Sequence, residues 1–404
     1  MEIGPIWRAM WRNKSGYILI ALQIAVTLAI MVNAVAIIQE RSGLMARASG
    51  IDEDNIFHAT SLVFAPDLDQ RSLINEDLAA LREIPGVIDA IATNSVPMRN
   101  GGWSMGLQVE PGVGVDGTGT AIYFTDDHGI ETFGLNLVAG RDFRPEEITW
   151  NEPDEVRWPP SVIITRALAE ALFPDESFED VVGKTVYINQ DDPMQVLGIV
   201  DRMQAPWVGW ESVERSALVP MLRESSITRY VVRTQPGMLN ELMPVVEELL
   251  ATRSDNRIID GLRTMADTRK RAYLDHASMI KMLSFIVTLL ITITALGIVG
   301  LASFSVTRRT RQIGTRRALG ATRPEILRYF VLENLIVSIC GTTLGAGIAI
   351  GLNIWMVSAF DLAPMSWPIV PVAMLALIGV GLLATAGPAR RASLVPPAVA
   401  TRAV

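Results

Sequence analysis

Four stretches of this sequence are too long and too apolar to be the buried helices of a soluble domain. The first runs from Tyr17 to Ile38, interrupted only by Gln23, Thr27 and Asn33. The second runs from Leu283 to Val306, the third from about Tyr329 to Phe360, and the fourth from about Trp367 to Ala386. Roughly 20 apolar residues in a helix cross the hydrocarbon of a bilayer, where backbone polar groups must be satisfied internally. Each run is read as a transmembrane helix. A cleaved signal peptide is the alternative for the first, with Arg8, Arg12 and Lys14 as its basic region and Ala34-Val35-Ala36 as its cleavage site. Its apolar stretch is long for a signal, and the chain returns to the membrane later, so it is read as a span.

Charge divides the chain in the same places. Residues 39–276 hold 39 acidic against 21 basic residues, and the remainder holds 4 against 14. Lys and Arg near the ends of spans set orientation. Arg8, Arg12 and Lys14 precede the first span; Arg308, Arg309, Arg311, Arg316, Arg317, Arg323 and Arg328 lie between the second and third; Arg390, Arg391 and Arg402 follow the fourth. The Phe360–Trp367 turn carries Asp361 and no base. Both termini and the arginine-rich loop are therefore expected in the cytoplasm, as parts of a multi-pass membrane protein. The basic residues sit at the ends of apolar runs rather than on a face of their own, which argues against nucleic-acid binding.

The expected organisation is a cytoplasmic amphipathic segment at 1–16, spans at 17–38, 283–306, 329–360 and 367–386, and a cytoplasmic tail at 387–404. Residues 39–276 form an α+β extracytoplasmic domain, and residues 307–328 a cytoplasmic loop. The domain holds two βαβ-like units, at about 50–105 and 225–262. In the first, a helix over Gln70–Glu83 puts Ile74, Leu78 and Leu81 on one face and ends at Pro85-Gly86. In the second, a strand at Arg229–Thr234 leads to a helix grouping Met238, Leu242, Val245, Val246 and Leu249, then to a strand at Arg257–Asp260. A strand-rich insert at 106–224 separates them. Residues 263–282 are expected to form a continuous stalk helix running into the second span. Gly341, Gly345, Gly347 and Gly351, in two small-xxx-small repeats, mark a helix-packing face. Its occupant is open between another span and a second protomer.

Catalytic patterns are missing. The single cysteine, Cys340, has no disulfide partner, and His58, His128 and His276 are scattered without metal-ligand spacing. Gly183-Lys184-Thr185 is not the end of a phosphate-binding loop, because Phe178 stands where that loop needs glycine. No cofactor is expected on this chain. Glu333, near one end of the third span, is expected to reach the interface rather than to serve a relay.

The loop Ile313-Gly314-Thr315-Arg316-Arg317-Ala318-Leu319-Gly320-Ala321-Thr322 is more patterned than topology requires. It reads as a short helix, a glycine break, and a new helix start in which Thr322 and Glu325 make a capping box. It resembles the loop between the second and third spans of MacB/FtsX-type ABC transporter permeases. Gly140-Arg141-Asp142-Phe143, Ile163-Ile164-Thr165-Arg166-Ala167-Leu168-Ala169, Val182-Gly183-Lys184 and Pro388-Ala389-Arg390-Arg391-Ala392 resemble further stretches of that family, in order. Val395-Pro396-Pro397-Ala398 departs from it by lacking the acidic residue usual before Pro-Ala. The resemblance implies a porter-like split domain and a coupling helix in which Gly314, Thr315, Arg316, Arg317, Ala318, Leu319, Gly320, Ala321 and Glu325 seat in an ABC ATPase. That ATPase is expected as a separate subunit carrying ATP and Mg. A second permease, identical or paralogous, would complete the assembly among membrane lipids, with a periplasmic adaptor as an open partner. The implied function is an efflux or mechanotransmission permease of the bacterial inner membrane. The alternative is a membrane-anchored receptor or scaffold, such as an FtsX-like regulator of cell-wall hydrolases.

Overall fold

The structure, a computed structural model, describes residues 14–65, 68–153, 155–360 and 364–396. Most of the expected amphipathic segment at 1–16, Asp361 of the turn, and Pro397-Ala398 of the tail lie outside the described residues. The chain forms two units: one of residues up to Ala46 with those from Asp275 onward, the other Arg47–Leu274.

The first unit opens with α1 (Lys14–Met45). The second begins with β1 (Ile56–Val63), α2 (Gln70–Glu83) and β2 (Val87–Thr93). The insert follows: β3 (Trp103–Leu107), β4 (Thr118–Thr125), α3 (Gly129–Phe133), β5 (Leu137–Gly140), β6 (Thr149–Asn151) and β7 (Ser161–Thr165). It continues through α4 (Arg166–Leu172), α5 (Phe178–Val181), β8 (Thr185–Ile188), β9 (Asp192–Val200) and β10 (Ser216–Arg223). The chain then returns with β11 (Ile227–Thr234), α6 (Leu239–Thr252) and β12 (Arg257–Thr264).

The two βαβ units interleave. The four-stranded sheet has the order β12-β1-β11-β2, so each unit's parallel strands are separated by a strand of the other. Alternation places Phe57, Ala59, Tyr230 and Val232 on the face covered by α2 and α6. There they meet Ile74, Leu78, Leu81, Val246 and Leu250. The expected grouping on α6 is corrected in part: Val245 is exposed, and Leu239 and Leu250 are buried in its stead. Under α2 lies an ion pair that hydrophobic periodicity cannot announce. Asp77 accepts from Arg257 at 2.5 and 3.1 Å and from the Tyr230 hydroxyl at 2.6 Å, with the charged pair fully shielded from solvent. Each carboxylate lone pair so used offsets part of the desolvation cost.

The insert is a mixed sheet of eight strands, along β3-β4-β10-β7-β9-β5 with β6 on β10 and β8 on β9. It starts at Trp103, three residues before the expected boundary. The sequence stretch Gly140-Arg141-Asp142-Phe143 is a corner of this sheet. Gly140 has φ 79°, and a Cβ there would lie 2.1 Å from the Leu197 carbonyl, so only glycine fits. Arg141 grips Glu147 with two hydrogen bonds at 2.6 and 2.8 Å. Lys184 pairs with Glu176 and lies over the Phe173 ring.

The continuous stalk helix expected over 263–282 is not formed. β12 extends to Thr264, whose hydroxyl then caps α7 (Met265–Ala272) by accepting from the Asp267 N–H at 3.0 Å. Tyr273 leaves helical geometry with φ −100° and ψ 11° and is 2% exposed. Burying that ring takes the backbone out of register, and a new helix, α8 (Leu274–Arg308), begins after it.

The first unit is completed by α8, α9 (Thr310–Ala318), α10 (Arg323–Phe360) and α11 (Ile369–Ser393). α1, α8, α10 and α11 are each long and apolar enough to cross a membrane. Apolar packing of Leu28, Val32, Ala349, Ala373 and Leu377 holds α1, α10 and α11 together. Polar side chains add to it within the bundle: Thr27 and Thr294 share a hydrogen bond at 2.8 Å, and Asn33 donates to Ala349 O at 3.3 Å.

Candidate functional site

The stretch between α8 and α10 is a braced, solvent-facing tip. Arg309 (φ −106°, ψ 10°) turns the chain out of α8, and α9 follows for nine residues. Gly320 takes φ 98°, the left-handed conformation that ends helices. Its N–H and that of Ala321 close the turn onto the carbonyls of Arg317 and Arg316. The next helix begins at Arg323 and runs unbroken into the span, earlier than the expected boundary at Tyr329. One arm of the expected capping box is present: the Glu325 carboxylate accepts from the Thr322 N–H at 2.8 Å. That bond holds the Glu325 pKa below its ordinary value.

Under the tip lies a small apolar core. Ile313 of α9 packs with Ile326 and Phe330 of α10 and with Ala389 and Ala392 of α11. The site residues expected from sequence separate into two groups around it. Gly314 is buried and Ala321 is half-buried, so they belong to the framework. Arg317 also faces inward, donating to the carbonyls of Ser393 at 2.7 Å and Val395 at 3.2 Å. Thr315, Arg316, Ala318, Leu319, Gly320 and Glu325 are exposed. Leu319 is 83% exposed, an apolar side chain at the apex of a basic turn. Arg316 lies over the Tyr329 ring at 5.1 Å.

A residue cluster that sequence reasoning missed fixes the tip to the bundle. Glu333, placed by the sequence near one end of the span, is 4% exposed and turned toward protein partners. It accepts from Tyr17 of α1 at 2.5 Å and from Arg309 at 3.0 Å. Arg309 also reaches the hydroxyls of Tyr17 and Tyr329, each at 3.4 Å. One buried carboxylate thus joins α1, the α8–α9 corner and α10. A lone acid in a span signals a polar partner, but five other arginines lie between Arg309 and Glu333 in the chain, so the sequence did not single Arg309 out.

The two glycine repeats have different fates. A Cβ on Gly341 would meet the Ala21 carbonyl at 2.8 Å, and one on Gly345 the Ala25 carbonyl at 2.7 Å. These glycines let α10 touch the backbone of α1. Gly347 and Gly351 have open space where a Cβ would stand. Four tryptophans of the α/β domain make ring contacts within it: Trp207 and Trp210 meet edge to face at 5.7 Å, Trp158 packs against Phe124, and Arg71 lies over Trp150. Among the described residues no cluster of three or more His, Cys, Asp or Glu side chains is arranged to hold a metal.

Residues 18–243 match the family described as MacB-like periplasmic core domain, and residues 284–397 match FtsX-like permease C-terminal. A macrolide export ATP-binding/permease protein MacB from Azoarcus sp. (strain BH72) is 26% identical over 81% of this chain and 48% of its own length. A pyoverdine export ATP-binding/permease protein PvdT from Pseudomonas syringae pv. syringae (strain B728a) is 25% identical over 98% of this chain and 58% of its own. The chain thus spans about half the length of the curated relatives it matches. The solved periplasmic region of MacB from Actinobacillus actinomycetemcomitans aligns with 57% of this chain and 97% of its own, at 17% identity and a TM-score of 0.35. With one family covering more than half of its residues and the other most of the rest, this four-helix membrane protein with its α/β domain belongs to the MacB/FtsX-type ABC transporter permeases.

Proposed function

We propose that the chain is the membrane-spanning part of an ATP-driven export or mechanotransmission complex, with the tip at 310–325 docking an ABC ATPase that lies outside these 404 residues. The observation that carries this reading is Leu319, fully presented at the apex of a basic turn whose base is locked by Ile313, Ile326, Phe330 and Arg317. An exposed apolar side chain on a rigid element fits a groove on a partner, since burying it removes apolar surface from water at little ordering cost. The positive-inside distribution favours a cytoplasmic tip, both termini in the cytoplasm, and the α/β domain outside the inner membrane.

A push on Leu319 is transmitted through the apolar core into α10 and α11, and through Glu333 into α1. α1 and α8 continue in sequence into the α/β domain, so ATP-driven motion at the tip reaches that domain without substrate crossing the bilayer here. The ATPase supplies the ATP and Mg chemistry. A second permease, identical or paralogous, completes the pair of docking tips. The names of the relatives, export ATP-binding/permease proteins, support this assignment of class and leave the substrate open.

Tagged chain is purified from native membranes in mild detergent, and its companions are identified by mass spectrometry. An ATPase in near-equal amount is expected with the wild type and its loss with Leu319→Asp. A wild-type chain that purifies without an ATPase, where other membrane complexes survive, overturns the reading.

A further inference from the structure

The α/β domain contains a second feature with the makings of a site. Where the chain crosses between the two sheets, at the β2–β3 and β10–β11 connections, a cavity of about 160 Å³ opens. Asn94, Trp103, Phe124, Arg223, Ser225 and Arg229 line it, and among the described residues none of its lining side chains is acidic. We propose that this cavity binds a small organic anion, with an aromatic or aliphatic body against Trp103 and Phe124 and a carboxylate, sulfonate or phosphate between Arg223 and Arg229.

The case rests first on charge. In this domain Arg82, Arg141, Arg233 and Arg257 all pair with carboxylates. Arg223 and Arg229 form no ion pair among the described residues. The Nε of each is buried and has no hydrogen-bond partner there. Burial and the nearby Arg99 push the Arg229 pKa below its ordinary value, so its charge is held at a cost that an anion would offset.

Geometry gives the second part. The Arg223 guanidinium lies over the Trp103 ring at 5.2 Å. One Nη of Arg223 donates to the Pro153 carbonyl, and stacking on the ring leaves the remaining in-plane N–H groups for a planar or tetrahedral anion. Trp103 in turn meets Phe124 edge to face at 5.1 Å, which supplies an apolar wall. The frame is rigid: Asn94 donates to Ile122 O at 3.0 Å and accepts from Phe124 N–H at 2.8 Å, while its carbonyl accepts from Arg229. A ligand held there touches both sheets at their crossings, so its binding would stiffen one sheet against the other.

The full chain in nanodiscs of zwitterionic lipid is titrated calorimetrically with 2-naphthalenesulfonate, against empty nanodiscs and against the uncharged 2-naphthalenesulfonamide. Saturable binding at one site per chain is expected. Affinity should fall about tenfold or more in Arg223→Gln and in Arg229→Gln, as loss of a charge-assisted hydrogen bond implies. The sulfonamide should bind more weakly by a similar factor. Ser225→Glu, which leaves both arginines and places a carboxylate at the cavity wall, should abolish binding and decides the matter if the glutamine variants do not fold. Absence of saturable binding to the wild type overturns the proposal. So does undiminished binding by the folded variants, or a sulfonamide bound as tightly as the sulfonate.

Discussion

The guanidinium of Arg317 donates to two carbonyls at the end of α11, while that of the adjacent Arg316 lies on the surface over Tyr329. Residues side by side in one motif therefore answer different tests. Arg317→Ala removes two charge-assisted bonds and should destabilise the bundle by about 1–3 kcal/mol. A lowered melting temperature in detergent, with any ATPase loss following from it, checks this. Arg316→Glu should leave the melt unchanged and weaken ATPase association. In the α/β domain, the His128 Nδ1–H donates to the Asp89 carboxylate at 2.8 Å, beside Arg82. Its hydrogen bond to Asp89 raises its pKa above the ordinary 6.5. A raised folded-state pKa stabilises fully below the unfolded value and is lost as pH rises through the folded value. The melting difference between wild type and His128→Gln should be largest below about pH 6.5 and shrink as pH rises past it. Because the ring is partly exposed, the effect is screened and small. A difference that grows with pH would show that the imidazole is not charged against Asp89.

At the scale of elements, the Arg309–Glu333 pair and the glycines of α10 decide how the helices meet. Glu333→Ala leaves the half-buried Arg309 with only tyrosine hydroxyls as partners among the described residues, so the loss should fall below the roughly 3–5 kcal/mol of a fully buried broken pair. The double variant Arg309→Met with Glu333→Leu should recover much of that, and a thermal or denaturant unfolding series of the four species measures the coupling. Gly341→Val and Gly345→Val drive side chains into the α1 backbone and should prevent folding, whereas Gly347→Ala is tolerated by the single chain. Periodicity and length made the spans and the α2 helix legible in the sequence, because apolar residues run on through each span and recur at about 3.6 residues in α2. The Asp77–Arg257 and Glu333–Arg309 pairs were not legible, since a buried charge advertises no period and its partner lies 180 or 24 residues away. The break at Tyr273 was hidden for a related reason. Helix propensity continues through it, and only the burial of one ring overrides it. At the tip, pattern marked the whole turn but not which of Arg316 and Arg317 faces outward.

For the whole molecule, orientation is the claim on which the assignment of partners depends. The chain offers a clean test because Cys340 is its only cysteine. In a Cys340→Ser background, single cysteines can be placed at Leu319, on the apex of the tip, and at Val113, in the α/β domain. Both side chains are 83% exposed, so reactivity reports access rather than burial. The stretch 307–328 around the α8–α10 turn holds seven arginines against the single acid Glu325, whereas acids outnumber bases 39 to 21 in residues 39–276, and moving that many cations to the outer face is opposed by the membrane potential at about 2.3 kcal/mol per charge per 100 mV. In intact spheroplasts, Val113→Cys should react with a membrane-impermeant maleimide, and Leu319→Cys should react only after permeabilisation. An excess of ATPase-docking competitor is not needed, since the two positions control for each other. If Leu319→Cys labels from outside, the tip cannot meet a cytoplasmic ATPase, and the docking proposal fails together with the orientation. If both label as expected, protection of Leu319→Cys in permeabilised cells that retain their complexes, relative to the purified chain, measures how much of the tip a partner covers.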